Sequence, residues 1–142
     1  MISTEEFLKM FEAANRWNHD INYRVNPLKY EVSDDCGGMY TCEPYKSRLL
    51  QIWKFSTPES ARFSARSIKD AFFEYLDKGD FVGADLARKY LKAGFTRVSI
   101  PAKSKKYFAK AYKKIRDNKN YNLLRDAFIK SKEQEQSEHG ER

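Results

Sequence analysis

The chain has 142 residues, of which 41% are hydrophobic, 33% charged and 15% aromatic, and its formal net charge is +7. That is one domain's worth of sequence, rich enough in aromatics to build a core and, with 6 Gly and 4 Pro, too poor in both for a fibrous or linker-like protein. No run approaches the roughly 18 apolar residues of a membrane span, and Met1-Ile2-Ser3-Thr4-Glu5-Glu6 has neither the basic nor the apolar region of a secretion signal.

In chain order, Ser3 and Glu6 have the spacing of a capping box, and Phe7, Leu8, Phe11 and Ala14 form one stripe, predicting a helix from Ser3 to Arg16. Asn18-His19-Asp20 and Asn26-Pro27 interrupt. Tyr30-Glu31-Val32 and Met39-Tyr40-Thr41-Cys42 alternate weakly around Ser33–Gly38, which allows a small β-hairpin near residues 30–42. Glu43-Pro44-Tyr45-Lys46-Ser47 turns into a short helix through Leu49, Leu50, Ile52 and Trp53. Thr57-Pro58-Glu59 is a cap, a first-turn proline and an acid at the positive end of a helix dipole, so a long helix runs from there to about Lys78. Gly79 ends it, and Asp80 caps the next helix, Phe81 to Ala93, which Gly94 is expected to stop. As a cap alone, Asp80 is worth about 1 kcal/mol. Helices follow over Lys103–Asp117 and from Tyr121 to about Lys132. The expected fold is therefore mainly α: a compact single-domain bundle of four to six helices over residues 1–132, with a polar, acidic tail at 133–142 that frays.

Cys36 and Cys42 are the only cysteines. They read as packing residues in a reducing compartment, ahead of a hairpin-stapling disulfide or zinc. Together with His19 and His139 they lack the paired short spacings of a zinc site. Asp34 and Asp35, with Glu31 and Glu43, read as solvated loop acids rather than Mg²⁺ ligands. No metal or cofactor is expected. There is no P-loop, dinucleotide fingerprint or nucleophile elbow, and no residue is assigned a catalytic role.

Charge is unevenly placed. Residues 98–132 carry 11 basic and 2 acidic groups, whereas residues 1–56 carry 7 and 8. Such asymmetry points to a polyanionic partner. On the helix 103–117, Phe108, Ala111, Tyr112 and Ile115 fall at i, i+3, i+4 and i+7 and mark the core side. Lys103, Lys105, Lys106, Lys110, Lys113 and Lys114, followed by Lys119 in the next turn, are the candidate nucleic-acid contacts, and Tyr107 and Tyr121 are candidate stacking residues. Lysine in place of arginine suggests phosphate contact without base readout. The plainer reading is a solvated face that aids solubility.

The middle of the chain resembles a known family. Its first signature is matched by Glu43-Pro44-Tyr45-Lys46-Ser47 with Leu50, Trp53, Phe55 and Thr57-Pro58. Its second is matched by Asp80-Phe81-Val82-Gly83-Ala84-Asp85-Leu86-Ala87-Arg88-Lys89-Tyr90-Leu91 with Gly94-Phe95-Thr96-Arg97. The likeness covers roughly residues 23–97. The family is a small cytoplasmic domain of unknown function seen in bacteria, some eukaryotes and large phages, so the resemblance implies an intracellular single domain, in a host cytoplasm or a virion if viral. This chain departs from the family's pattern at Ser33–Gly38 and at Val98–Ala102.

The signature residues Glu43, Tyr45, Lys46, Asp80, Asp85, Arg88, Lys89 and Arg97 admit two readings. One is an anion pocket built on Arg88, Arg97 and Lys46 beside Glu43 and Tyr45; the other is a polar network locking the helix corner onto the Glu-Pro-Tyr-Lys turn. Gly83 inside a helix costs about 1 kcal/mol against alanine and implies close approach of a helix or a ligand. The favoured function is a non-enzymatic, sequence-tolerant nucleic-acid-binding accessory protein. The alternatives are an interaction protein docking an acidic partner or assembly, and a small enzyme or ligand-binding domain using Glu43, Tyr45, Lys46, Arg88 and Arg97. Oligomeric state is left open.

Overall fold

A computed structural model of the protein describes residues 2–7 and 17–140. It is a mainly α bundle. The helices are α1 (Tyr45–Ile52), α2 (Pro58–Asp77), α3 (Phe81–Thr96), α4 (Ala102–Ile115) and α5 (Lys119–Gly140), with a 3₁₀ turn at Pro27–Lys29. Residues 4–7 are also helical, and the capping box forms: Glu6 N donates to Ser3 Oγ (3.1 Å) and Ser3 N to the Glu6 carboxylate (3.3 Å). The rest of the stripe expected there, Leu8, Phe11 and Ala14, lies outside the described residues. No helix among the described residues is long and apolar enough to cross a membrane.

The centre of the molecule is α3. Twelve of its 16 residues are buried, on every side of the helix, because α2, α4 and α5 all pack on it. Leu86, Tyr90 and Leu91 are at most 1% exposed, each contributing about 1.5–3 kcal/mol of burial. Both ends of the α2–α3 corner are set by local chemistry. Thr57 and Ser60 complete a capping box at the start of α2. Gly79 adopts φ +69°, where its missing Cβ removes the strain, and lets Gly79 N and Asp80 N close the last turn onto Leu76 O and Tyr75 O. Asp80 then caps α3 by accepting from Gly83 N at 3.0 Å.

Two expectations about glycine resolve differently. Gly83 does allow a close approach, and the neighbour is a helix: a Cβ there would lie 2.5 Å from Cγ of Tyr75 on α2. Gly94 does not stop α3, which continues to Thr96. It is buried within the last turn of α3, where a Cβ would overlap the Phe108 ring of α4. Its purpose is proximity, so it sits inside the element it was expected to terminate.

The hairpin allowed near residues 30–42 is absent. Among the described residues there is no strand, only one isolated parallel bridge between Asn22 and Glu43, backed by Tyr23 N donating to Glu43 O at 2.9 Å. Residues 17–44 instead pack individually: Trp17, Tyr23, Tyr30, Met39 and Cys42 are all buried. Their weak alternation reflects insertion of single side chains into the helical core, with no ladder between the segments.

At the other end, α5 runs to Gly140, past the expected stop near Lys132. Its inner side reaches back to the irregular segment. Phe128 packs on Phe81 and Tyr30, at 4.9 and 6.3 Å between ring centroids. Lys132 Nζ donates to Tyr30 O (2.7 Å) and pairs with Glu31 (3.2 Å).

Candidate functional site

On α4 the expected faces are the observed ones. Phe108, Ala111 and Ile115 are buried, joined by Ser104, whose Oγ donates to Phe55 O at 2.7 Å. Tyr112 is half-buried. Lys103, Lys106, Lys110, Lys113 and Lys114 are exposed, as is Lys119 at the start of α5, and Lys105 is half-buried. None of the seven is ion-paired among the described residues; Lys106 Nζ lies 5.2 Å from the Tyr107 ring centroid.

Three of these lysines form half of a larger feature. A groove of about 450 Å³ runs between α2 and α4, lined by Arg62, Arg66 and Lys69 on one side and Lys106, Lys110 and Lys114 on the other. Ala65, Ala111 and Tyr107 form the rest of its wall, and no carboxylate lines it. On α2 the cations stand at i, i+4 and i+7, beside the buried Ala61, Ala65 and Ile68. On α4 they stand at i, i+4 and i+8. With a rise of 1.5 Å per residue, each row is about 11–12 Å long. Lys103, Lys105, Lys113 and Lys119 lie outside the groove lining. The α2 row was the part missed in sequence: its periodicity was visible, but Glu59, Asp70 and Glu74 dilute the local charge.

The signature residues form networks instead of one pocket. Tyr45 donates its O–H to both oxygens of Asp80 (2.8 and 2.6 Å), the same carboxylate that caps α3. Burial, reinforced by that carboxylate, pushes the Tyr45 hydroxyl far above the usual phenol range. Glu43 accepts from Ser47 N (2.7 Å) and Ser47 Oγ (2.5 Å) at the first turn of α1; these bonds, the hydroxyl's first, hold its carboxyl below the usual range.

Asp85 and Lys89, 1% and 3% exposed, are a buried pair 4.0 Å apart. Asp85 accepts from Tyr30 (2.5 Å) and Tyr121 (2.6 Å). Lys89 donates to Gly37 O (2.7 Å) and Ser33 Oγ (3.0 Å) and sits over the Trp17 and Tyr30 rings. This spread of partners is what makes burial of the two charges tolerable. It also pins the Ser33–Gly37 loop to α3.

Arg88 turns to Tyr112 and Tyr121 on α4 and α5, donating to Tyr112 Oη at 2.9 Å. Arg97 stacks on Tyr40 and Trp53 and donates to the Tyr40 hydroxyl. Lys46 lines a separate shallow depression with Lys54. The proposed grouping of Arg88, Arg97 and Lys46 beside Glu43 and Tyr45 is therefore not formed: Arg88 and Arg97 are held by different aromatic partners, and Lys46 lies in a third place. The locking network is the reading this geometry favours.

A cavity of about 720 Å³ lies at the α2–α3 corner and is lined by Arg24, Arg48, Lys78, Glu74 and Asp80. Most of its charges are engaged: Glu74 clamps Arg48 at 2.7 Å and Lys78 at 3.3 Å, Asp80 is occupied as above, and Arg24 lies over the Tyr45 ring at 5.3 Å. Cys36 is exposed and Cys42 buried, both as free thiols, and burial pushes the Cys42 thiol up to about 12.

Among known families, the model described as Domain of unknown function (DUF4385) matches residues 14–107. No curated protein and no solved structure matches the chain.

Proposed function

Because this chain belongs to that family of unknown function, its own charge geometry has to guide the reading, and we propose that it is a sequence-tolerant nucleic-acid-binding accessory protein acting through the α2–α4 groove. One observation carries this reading: six cations from two helices face a single groove that no carboxylate lines. Cations gathered in this way repel one another unless a polyanion neutralises them. A row of about 12 Å matches roughly three to four phosphates of one strand at about 3.4 Å of axis each. Lysine-dominated contacts position a backbone but do not read base edges, which supports tolerance of sequence. Tyr107, half-buried in the wall, offers a ring against which a base can stack. The two free thiols suit a reducing compartment such as the cytoplasm.

The test is a groove variant, Lys106→Gln with Lys110→Gln and Lys114→Gln, titrated against mixed-sequence DNA and RNA over a range of salt concentrations. All three lysines are exposed, so the fold should survive, at no more than about 0.5 kcal/mol each. Affinity should fall equally for every sequence, and the salt slope should become shallower by up to about 3. The α2 counterpart, Arg62→Gln with Arg66→Gln and Lys69→Gln, should behave alike. Parental affinity and slope in both variants would remove the proposal and favour docking of an acidic protein surface.

A further inference from the structure

A second cationic feature lies away from the α2–α4 groove. Arg88 from α3, Arg116 from the end of α4 and Arg125 from α5 line one depression of about 210 Å³, with Ser33 and Asn122 also in its wall. Two acids share it, Asp34 and Asp85. Asp85 is already filled by Tyr30, Tyr121 and Lys89. Asp34 is exposed and makes no ion pair with any of the three arginines among the described residues. Arg116 is partly engaged by Asp117 at 3.3 Å, on the surface.

Arg88 and Arg125 have no carboxylate partner among the described residues. Arg88 spends one Nη on Tyr112, and its buried Nε has no hydrogen-bond partner. Each guanidinium offers five N–H donors in a planar fork. Three guanidinium groups thus face one exposed carboxylate, Asp34, and the depression is much too small for a helix or a nucleic-acid duplex. Arginine forks match a tetrahedral oxyanion that accepts two bonds from each of them.

We propose that this depression binds a phosphate group, carried either by orthophosphate or by a small phosphate monoester. The site is independent of the α2–α4 groove and shares no lining residue with it.

The experiment is an NMR titration of the full chain with orthophosphate, and separately with phenyl phosphate, at constant ionic strength against chloride. Saturable shifts are expected at the Asn122 amide and the Arg88 and Arg125 Nε–H groups with both probes. Tighter binding of phenyl phosphate assigns the ester, and tighter binding of orthophosphate the free ion; both support the site. Arg125→Gln, a half-buried position, should weaken binding about tenfold and leave polynucleotide affinity unchanged. Asn122→Ala, at an exposed position, provides a second variant with the same expectation in milder form. The Lys106→Gln, Lys110→Gln, Lys114→Gln variant should bind phosphate as the parent does, which separates the two sites. Shifts that do not saturate at millimolar phosphate, or that survive Arg125→Gln and Asn122→Ala undiminished, would overturn the proposal.

Discussion

Asp80 performs two tasks with one carboxylate. It caps α3 through Gly83 N, and it receives the hydroxyl of a tyrosine that is 1% exposed. Removing a cap costs about 1 kcal/mol. Asp80→Ala also leaves the buried Tyr45 O–H without its acceptor, a further cost of about 1–3 kcal/mol. The expected destabilisation is thus about 3 kcal/mol, above the cap-only figure that sequence suggests. Tyr45→Phe removes the orphaned donor, so in denaturant melts the double variant should recover part of the loss; strict additivity would show that the two side chains are uncoupled. The cysteines give a second residue-scale contrast. Cys36 is exposed, while the buried Cys42 thiol, raised to about 12, is almost entirely protonated at neutral pH. The thiolate is the reactive form. A thiol-reactive dye at pH 7–8 should therefore label one equivalent promptly and the second only on unfolding, and two equally fast equivalents would contradict the burial of Cys42.

At the scale of elements, helix boundaries were legible wherever local chemistry sets them. Thr57-Pro58, Gly79 and Asp80 each satisfy or release backbone groups within a few residues, and all three behave as their sequence implies. Gly94 shows what was not legible. A glycine that ends a helix and one that admits a neighbouring ring look alike in a single sequence, because the difference lies in Phe108, fourteen residues away and on another helix. The same holds for residues 30–42, where Tyr30, Met39 and Cys42 are buried in a core that α3 and α5 help to build. Gly94→Ala puts these effects in opposition. Alanine gains about 1 kcal/mol of helix propensity, yet its Cβ overlaps the root of the Phe108 side chain, which cannot swing clear without moving α4. Overpacking of this kind costs about 1–3 kcal/mol. A net loss of stability is expected in thermal melts, and a stabilised variant would mean that α4 retreats freely. The candidate groove was half legible for a related reason. The α4 row stands out because residues 98–132 hold 11 basic groups against 2 acids, whereas the α2 row becomes significant only once α4 lies opposite it.

Over the whole molecule, the family match stops at residue 107, but the core does not. Tyr121 supplies one of the two hydroxyls on buried Asp85, Phe128 covers Tyr30 and Phe81, and Lys132 holds the Tyr30 carbonyl across 102 residues of sequence. The consequence is temporal. During synthesis Tyr30 and Asp85 emerge before α5, so neither has its α5 partners until that helix has left the ribosome, and this part of the core closes only then. A chain ending at Asn118 therefore recreates the arrested nascent state. It should keep far-UV helical signal, lose near-UV aromatic signal and bind a hydrophobic dye. A sharp, cooperative melt of that shortened chain would instead establish that the last helix is added to a core already complete.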